Sequence, residues 1–150
     1  SHHWVKELPE SPVWVRGDRA RLHQVVTNLL KNAWVHTPAG VTVTTAITAD
    51  RARVGGPVAE LTVANDGPAI DADMVPHLFE RFVRADKARS GESGSTGLGL
   101  AIVASIVGAH RGSVDAESSD GATVFRVRLP MVDPDPAAGD STGERAQNAG

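Results

Sequence analysis

Ser93-Gly-Ser-Thr-Gly-Leu-Gly-Leu-Ala-Ile-Val103 is a glycine-rich turn running straight into a strongly apolar helix. A helix N-terminus leaves its first backbone N–H groups unpaired and carries partial positive charge, so it suits an anion. Gly94, Gly97 and Gly99 remove side chains where a phosphate must come close to the backbone. Any tight loop before a helix can look like this. Two other elements sharpen it: an Asn28-x-x-x-Asn32 pair upstream, and an Asn65-Asp66-Gly67-Pro68 turn between the two. Together they read as a nucleotide site, with ATP the expected ligand.

Working outward from that stretch, Asp18 is a good N-cap for a helix from Arg19 to about His36. Leu22, Val25, Val26, Leu29, Leu30 and Ala33 recur at helical spacing and form its apolar stripe, and Pro38-Ala39-Gly40 ends it. Ahead of it, Trp4–Leu8 and Val13–Arg16 read as short strands separated by Pro9 and Pro12. Val41–Ala49 and Val58–Ala64 read as a hairpin around a polar loop containing Gly55-Gly56-Pro57. A short helix is expected within Asp71–Phe82, and Arg84–Thr96 has the composition of a mobile loop, with almost nothing to bury. The helix Leu98–Ala109 is apolar nearly all round, which predicts burial on most sides. Ser113–Glu117 and Thr123–Leu129 form a last hairpin around Ser118–Gly121.

The order ββ-α-ββ-α-α-ββ predicts an α+β fold: a two-layer α/β sandwich whose mixed, mostly antiparallel sheet carries three helices on one face. Strands do not alternate with helices as the parallel crossovers of a dinucleotide fold require. Residues 1–130 read as one domain with room for a substantial core, and residues 131–150, rich in Pro, Ala, Gly, Asp and Ser, as a disordered tail.

Fifteen Lys and Arg against 18 Asp and Glu give a net charge of −3, which argues against general nucleic-acid binding. The absence of cysteine excludes disulfides and thiolate zinc sites. No apolar run is long enough to span a bilayer, and no signal peptide is present. The abrupt start at Ser1-His2-His3 reads as that of an excised fragment.

Asn28 and Asn32 lie one turn apart at the edge of the apolar stripe. Asparagine is a mediocre helix former, so two in that position suggest a polar pocket rather than a solvated face. An amide oxygen suits Mg²⁺, which otherwise takes waters and substrate phosphates. The surrounding residues carry a resemblance. Asn28-Leu-Leu-Lys-Asn32-Ala33, with Arg21-Leu22-x-Gln24-Val25 before it, resembles the N box of sensor histidine kinases. Asn65-Asp66-Gly67-Pro68-Ala69-Ile70 resembles their G1 box, Phe79-Glu80-Arg81-Phe82 the F box, and Gly94–Leu100 the G2 box. Gly121-Ala122-Thr123-x-Phe125 resembles their closing glycine–threonine element. The five motifs keep the family's order across residues 4–130. The resemblance is to the catalytic ATP-binding domain, of Bergerat-type fold, within the wider group of gyrase, Hsp90 and MutL ATPases.

That resemblance implies roles. Asn32 would hold Mg²⁺, Asn65 would accept a hydrogen bond from the adenine amino group, and Gly67 would let the base approach, with Ile70 closing the same box. Arg84 and Arg81 would be loop residues reaching the phosphates, with Asn32 and Arg84 the catalytic pair. Gly97, Leu98 and Gly99 would form the backbone cradle, and Thr123 would lie near the adenine beside an ordered water. Three positions depart from the family pattern. Asn65 stands where aspartate is usual, Ala69 where a second glycine is usual, and Val35 where a basic residue often reaches a phosphate. His36 could be a partial substitute for that basic residue or simply a cap at the helix end.

Asn28 occupies the place where ATP-hydrolysing relatives carry a glutamate base, and an amide has no useful basicity. The γ-phosphoryl group would then await a better nucleophile, which in sensor kinases is a histidine on a separate helical dimerisation domain. None of His2, His3, His23, His36, His77 and His110 begins a His-Glu/Asp-x-x-x-Pro pattern, so all six read as surface or capping residues. The implied partners are that phosphoacceptor domain and a downstream response regulator, with no nucleic acid. The fragment is expected to be monomeric and cytoplasmic, within a homodimeric parent kinase anchored in the plasma membrane. Two other classes stay open: a serine kinase acting on an anti-anti-sigma protein, and a nucleotide-sensing module without turnover.

Overall fold

The computed structural model describes residues 1–80 and 99–133. In chain order these form β1 (His3–Glu7), α1 (Arg19–His36), β2 (Thr42–Asp50), β3 (Val58–Asn65), a 3-10 turn (Val75–His77), α2 (Gly99–Ala109), β4 (Ser113–Ser119) and β5 (Ala122–Pro130). The five strands make one sheet in the order β1-β2-β3-β5-β4. β1 runs parallel to β2, and every other pair is antiparallel. Both expected hairpins are present, and the fold is the expected α+β sandwich with a mixed, mostly antiparallel sheet.

Three local readings change. First, the parallel β1–β2 pair makes α1 a crossover helix, because parallel neighbours cannot be joined by a tight turn. Second, Val13–Arg16 is not a strand: Val15 forms only an isolated bridge to Met131, and the Trp14 carbonyl accepts from the Val132 N–H at 2.9 Å. Pro12 removes a donor before this segment and the α1 cap follows it, so it crosses the end of β5 as a strap. Third, of the three helices expected on one face, the described residues contain two α-helices, and the one between them is the single 3-10 turn. Asp71 accepts from the Asp73 N–H at 3.1 Å, a local side-chain-to-backbone bond that competes with helix formation at the start of this stretch. The Arg84–Thr96 loop and the tail from residue 134 lie outside the described residues.

The core follows from the two periodicities. Asp18 caps α1 through its side chain, which accepts from the Arg21 N–H at 3.1 Å. Val25, Leu29 and Ala33 then point at the sheet, and Val103, Ile106 and Val107 do the same from α2. α2 is less enclosed than its composition predicts, since Ser105, Gly108 and Ala109 remain exposed. Alternate strand residues meet the helices, Val43 from β2, Val63 from β3, and Phe125 and Val127 from β5. Phe79 stacks edge-on against Phe125, with ring centroids 6.2 Å apart. On the opposite face the same strands are polar, where Arg126 and Arg128 bridge Asp115, Glu117 and Glu60 at 2.7–3.9 Å. One face of the sheet is thus committed to helices and the other to water.

His110 ties the two helices together. Its Nε2 accepts from the Asp18 N–H at 3.0 Å, and its Nδ1 contacts the Ile106 carbonyl at 2.7 Å, so the proton sits on Nδ1. A Cβ at Gly17 would meet the His110 ring at 2.5 Å, so this junction needs glycine.

Candidate nucleotide site

One lateral row crosses the whole sheet. Trp4 pairs with Val43, Val43 with Asn65, Asn65 with Thr123, and Thr123 with Ser118. Directly paired residues share a face, so this row points to the helix side, at the end of the sheet where β3 leaves for the 66–70 turn. Val43 is fully buried, Asn65 is 8% exposed and Thr123 is 1% exposed. Two polar side chains therefore stand next to each other at the end of an otherwise apolar core face. Buried polar groups need partners, and these have them.

The Asn65 Oδ1 accepts from the Gly67 N–H at 3.0 Å, which curls the chain tightly after β3. A Cβ at Gly67 would lie 3.2 Å from that same Oδ1 and 3.2 Å from a Val41 methyl. The position keeps glycine because the turn and the amide share one space. Asp66 faces the other way, its carboxylate accepting from the Thr42 N–H at 2.8 Å.

The turn after β3 is then stitched to the β4–β5 hairpin by three bonds. The Gly121 N–H donates to the Gly67 carbonyl at 2.9 Å, the Ala69 N–H to Asp120 Oδ1 at 3.1 Å, and the Ile70 N–H to Ser118 Oγ at 2.7 Å. Ser118 Oγ also lies 2.6 Å from Thr123 Oγ1. Ala69, in place of the family's second glycine, adopts no positive φ; among the described residues Arg111 is the non-glycine position that does. The departure at Ala69 therefore strains nothing, because its N–H is held in an ordinary conformation by Asp120.

On the helical side, Asn28 Nδ2 donates to the Gly99 carbonyl at 3.2 Å, joining α1 to the first residue of α2. Asn32, half-buried, follows one turn later, and His36 one turn after that. Desolvation lowers the His36 pKa below its ordinary 6.5 although much of its surface is exposed, so the ring is neutral at pH 7 and offers no standing charge to a phosphate. Arg81, Arg84, Gly97 and Leu98 lie outside the described residues. The other sequence-derived positions separate into Asn28 with Gly99 between the helices, and Asn65, Gly67, Ile70 and Thr123 around the β3 end.

Ser118 and Asp120 escaped the sequence reading. The sequence reads Ser118–Gly121 as a hairpin turn, where both would carry ordinary turn chemistry; Ser118 instead belongs to β4, and nothing local says that the two brace a turn 48 and 51 residues away. Among the described residues no cluster of three or more His, Cys, Asp or Glu could hold a metal. A cavity of about 650 Å³ does exist, but it lies under the N-terminal half of α1, lined by apolar groups of Val13, Leu22, Val26, Ile47, Leu61 and Leu129. Its lining includes none of the polar row. Among the described residues no helix is long and apolar enough to cross a membrane.

Comparison with known proteins places the chain among relatives of one kind. Sensor histidine kinase TrcS of Mycobacterium tuberculosis is 65% identical over 133 residues, covering 89% of this chain and 26% of that protein. Probable sensor histidine kinase TcrY of the same organism is 51% identical over 130 residues, covering 87% and 26%. The chain thus spans about a quarter of the length of these curated relatives. Among solved structures, the mycobacterial sensor histidine kinase MprB superposes with a TM-score of 0.73 at 31% identity, over 87% of this chain and 84% of that one. Residues 17–133 match the model of the histidine kinase-, DNA gyrase B- and HSP90-like ATPases, and by that match, from the α1 cap to the end of the sheet, the chain belongs to that ATPase family.

Proposed function

We propose that this chain is the catalytic domain of a sensor histidine kinase, binding ATP·Mg²⁺ and donating the γ-phosphoryl group to a histidine on a separate dimerisation domain of the same kinase. The carrying observation is the buried pair Asn65–Thr123, braced by the 66–70 turn and Ser118 at the open end of an apolar face. A flat base edge with donors and acceptors suits that arrangement, and Gly67 keeps the approach clear. The names of the relatives, sensor histidine kinases in each case above, support the same reading.

The residues fit the two ligands. Asn65 Oδ1, already accepting from Gly67, has a second lone pair for the adenine amino group. Mg²⁺ usually takes few protein ligands and fills its octahedron with waters and phosphate oxygens, so one amide oxygen from Asn32 suffices without a carboxylate cluster. When bound, the ion neutralises charge on the phosphates. Asn28 is occupied by the Gly99 carbonyl and is an amide, so no base stands there to activate water. ATP therefore persists until the histidine of the partner domain attacks. Arg84 and Arg81 are assigned to the phosphates, and Gly97, Leu98 and Gly99 to the backbone cradle, by their place in the motifs. A response regulator would receive the phosphoryl group next. The domain would work on the cytoplasmic side of a membrane-anchored, dimeric parent.

With labelled ATP the isolated chain should neither label itself nor hydrolyse ATP quickly. Given a separate protein carrying the cognate helical hairpin, it should transfer label in trans, slowly, because the tether's effective concentration is gone. The label should be acid-labile and base-stable, as a phosphoramidate is. Acid-stable label on serine, or rapid ATP hydrolysis by the chain alone, would overturn the reading.

A further inference from the structure

We infer that Ser118 is a positioning residue for base recognition: it sets the direction of the Thr123 hydroxyl so that Thr123 donates to the N1 side of the purine. The inference rests on the proposal that Thr123 faces the base. It starts from two short contacts on one oxygen. Ser118 Oγ accepts from the Ile70 N–H at 2.7 Å and lies 2.6 Å from Thr123 Oγ1. A serine hydroxyl has one hydrogen and two lone pairs. The backbone N–H of Ile70 has no alternative role, so one lone pair of Ser118 is permanently taken as acceptor.

Two arrangements of the remaining pair follow. If Thr123 donates to Ser118, as it can in the free chain, two donors converge on one oxygen and the Ser118 hydrogen, on a half-buried side chain, turns to water. If Ser118 donates to Thr123, its hydrogen-bonding capacity is used in both directions and the Thr123 hydrogen is released. Thr123 is 1% exposed, so its freed hydrogen needs a partner inside the site. A bound purine brings one in N1, reached directly or through a single water. The chain then runs one way, from Ile70 N–H to Ser118 to Thr123 to the base, and a hydroxyl that accepts a hydrogen bond is a stronger donor for it.

The sheet supplies the geometry. Ser118 and Thr123 are direct partners on β4 and β5, and Thr123 is the direct partner of Asn65 on β3. Asn65 and Thr123 thus present neighbouring polar atoms to the same edge of a base. Asn65 provides the acceptor for an amino group, and Ser118 ensures that Thr123 provides the donor beside it. An acceptor next to a donor is the complement of adenine's N6 amino group next to N1. Ser118 so contributes to selection of adenine without touching it.

The test compares ATP, 7-deaza-ATP and 1-deaza-ATP with Mg²⁺, binding to the wild-type chain and to Ser118→Ala, Ser118→Thr and Thr123→Val. Only 1-deaza-ATP lacks the N1 acceptor. Ser118→Ala should weaken ATP and 7-deaza-ATP about three- to tenfold, the worth of one neutral hydrogen bond, and leave 1-deaza-ATP unchanged. Ser118→Thr, which keeps the hydroxyl, should restore the discrimination. If Ser118→Ala does not fold, Ser118→Cys, of similar size and a weak donor, should show the same selective loss. Equal weakening of all three nucleotides, or no weakening of any, would overturn the role of Ser118 while Thr123→Val still weakens ATP. If wild-type protein binds 1-deaza-ATP as well as ATP and Thr123→Val changes nothing, the placement of Thr123 at the base fails, and the inference with it.

Discussion

Asn65→Asp separates two energies that act on the same atoms. Asn65 is 8% exposed and its Oδ1 accepts from the Gly67 N–H at 3.0 Å. An aspartate is nearly isosteric, so the Gly67 bond survives, and because it exists with and without nucleotide it cancels from the binding energy. What remains is the bond to the adenine amino group. A neutral pair contributes about 1 kcal/mol and a charged acceptor about 1.5–3 kcal/mol, a gain of about 1 kcal/mol or about fivefold in affinity. The cost falls mostly on folding. A carboxylate is harder to bury than an amide, and the Asp66 carboxylate is the next residue along. The expected result is tighter ATP binding by calorimetry with a lower thermal midpoint. ADP should gain equally, because the effect lies at the base, whereas purine riboside triphosphate, which lacks the amino group, should gain nothing. Weaker ATP binding with the fold intact, or an equal gain for purine riboside triphosphate, would refute the assignment of Asn65 to the adenine.

Three further outcomes are expected. Asn32→Ala should abolish the Mg²⁺-dependent part of binding to a non-hydrolysable ATP analogue; unchanged Mg²⁺ dependence would remove Asn32 from the metal. Leu29→Ala, at a side chain 1% exposed in the middle of α1, should cost about 2–5 kcal/mol in urea unfolding through lost burial and a residual cavity; a loss well under that range would mean that the α1 stripe is not the packed core. For His36, desolvation lowers the folded pKa below 6.5, so its contribution to stability is whole above pH 6.5 and is lost as pH falls below it. His36→Gln should therefore flatten the acid-side fall of the melting temperature from pH 6.5 downward, and an unaltered slope would count against that environment.

Much of this protein was legible along the chain because the informative signals are local. Asp18 and the Leu22–Ala33 stripe specify α1, since capping and 3.6-residue periodicity act within a few turns. The two antiparallel hairpins follow from alternating runs around turn residues, and the five motifs mark the family because each is a short run with its own backbone chemistry. The sequence by itself therefore determined the fold class, the helical asparagines and the Asn65–Gly67 turn. Tertiary structure decided what depends on distant residues meeting. It made β1 a parallel partner of β2, gave the short helix expected within Asp71–Phe82 as one 3-10 turn among the described residues 71–80, and set Val13–Arg16 as a strap against Met131 and Val132. It also brought Ser118 and Asp120 to the backbone of Ile70 and Ala69. No periodicity encodes those contacts: a serine at the end of a strand beside a hairpin turn looks the same whether it meets water or another turn, and only strand order and register choose between them.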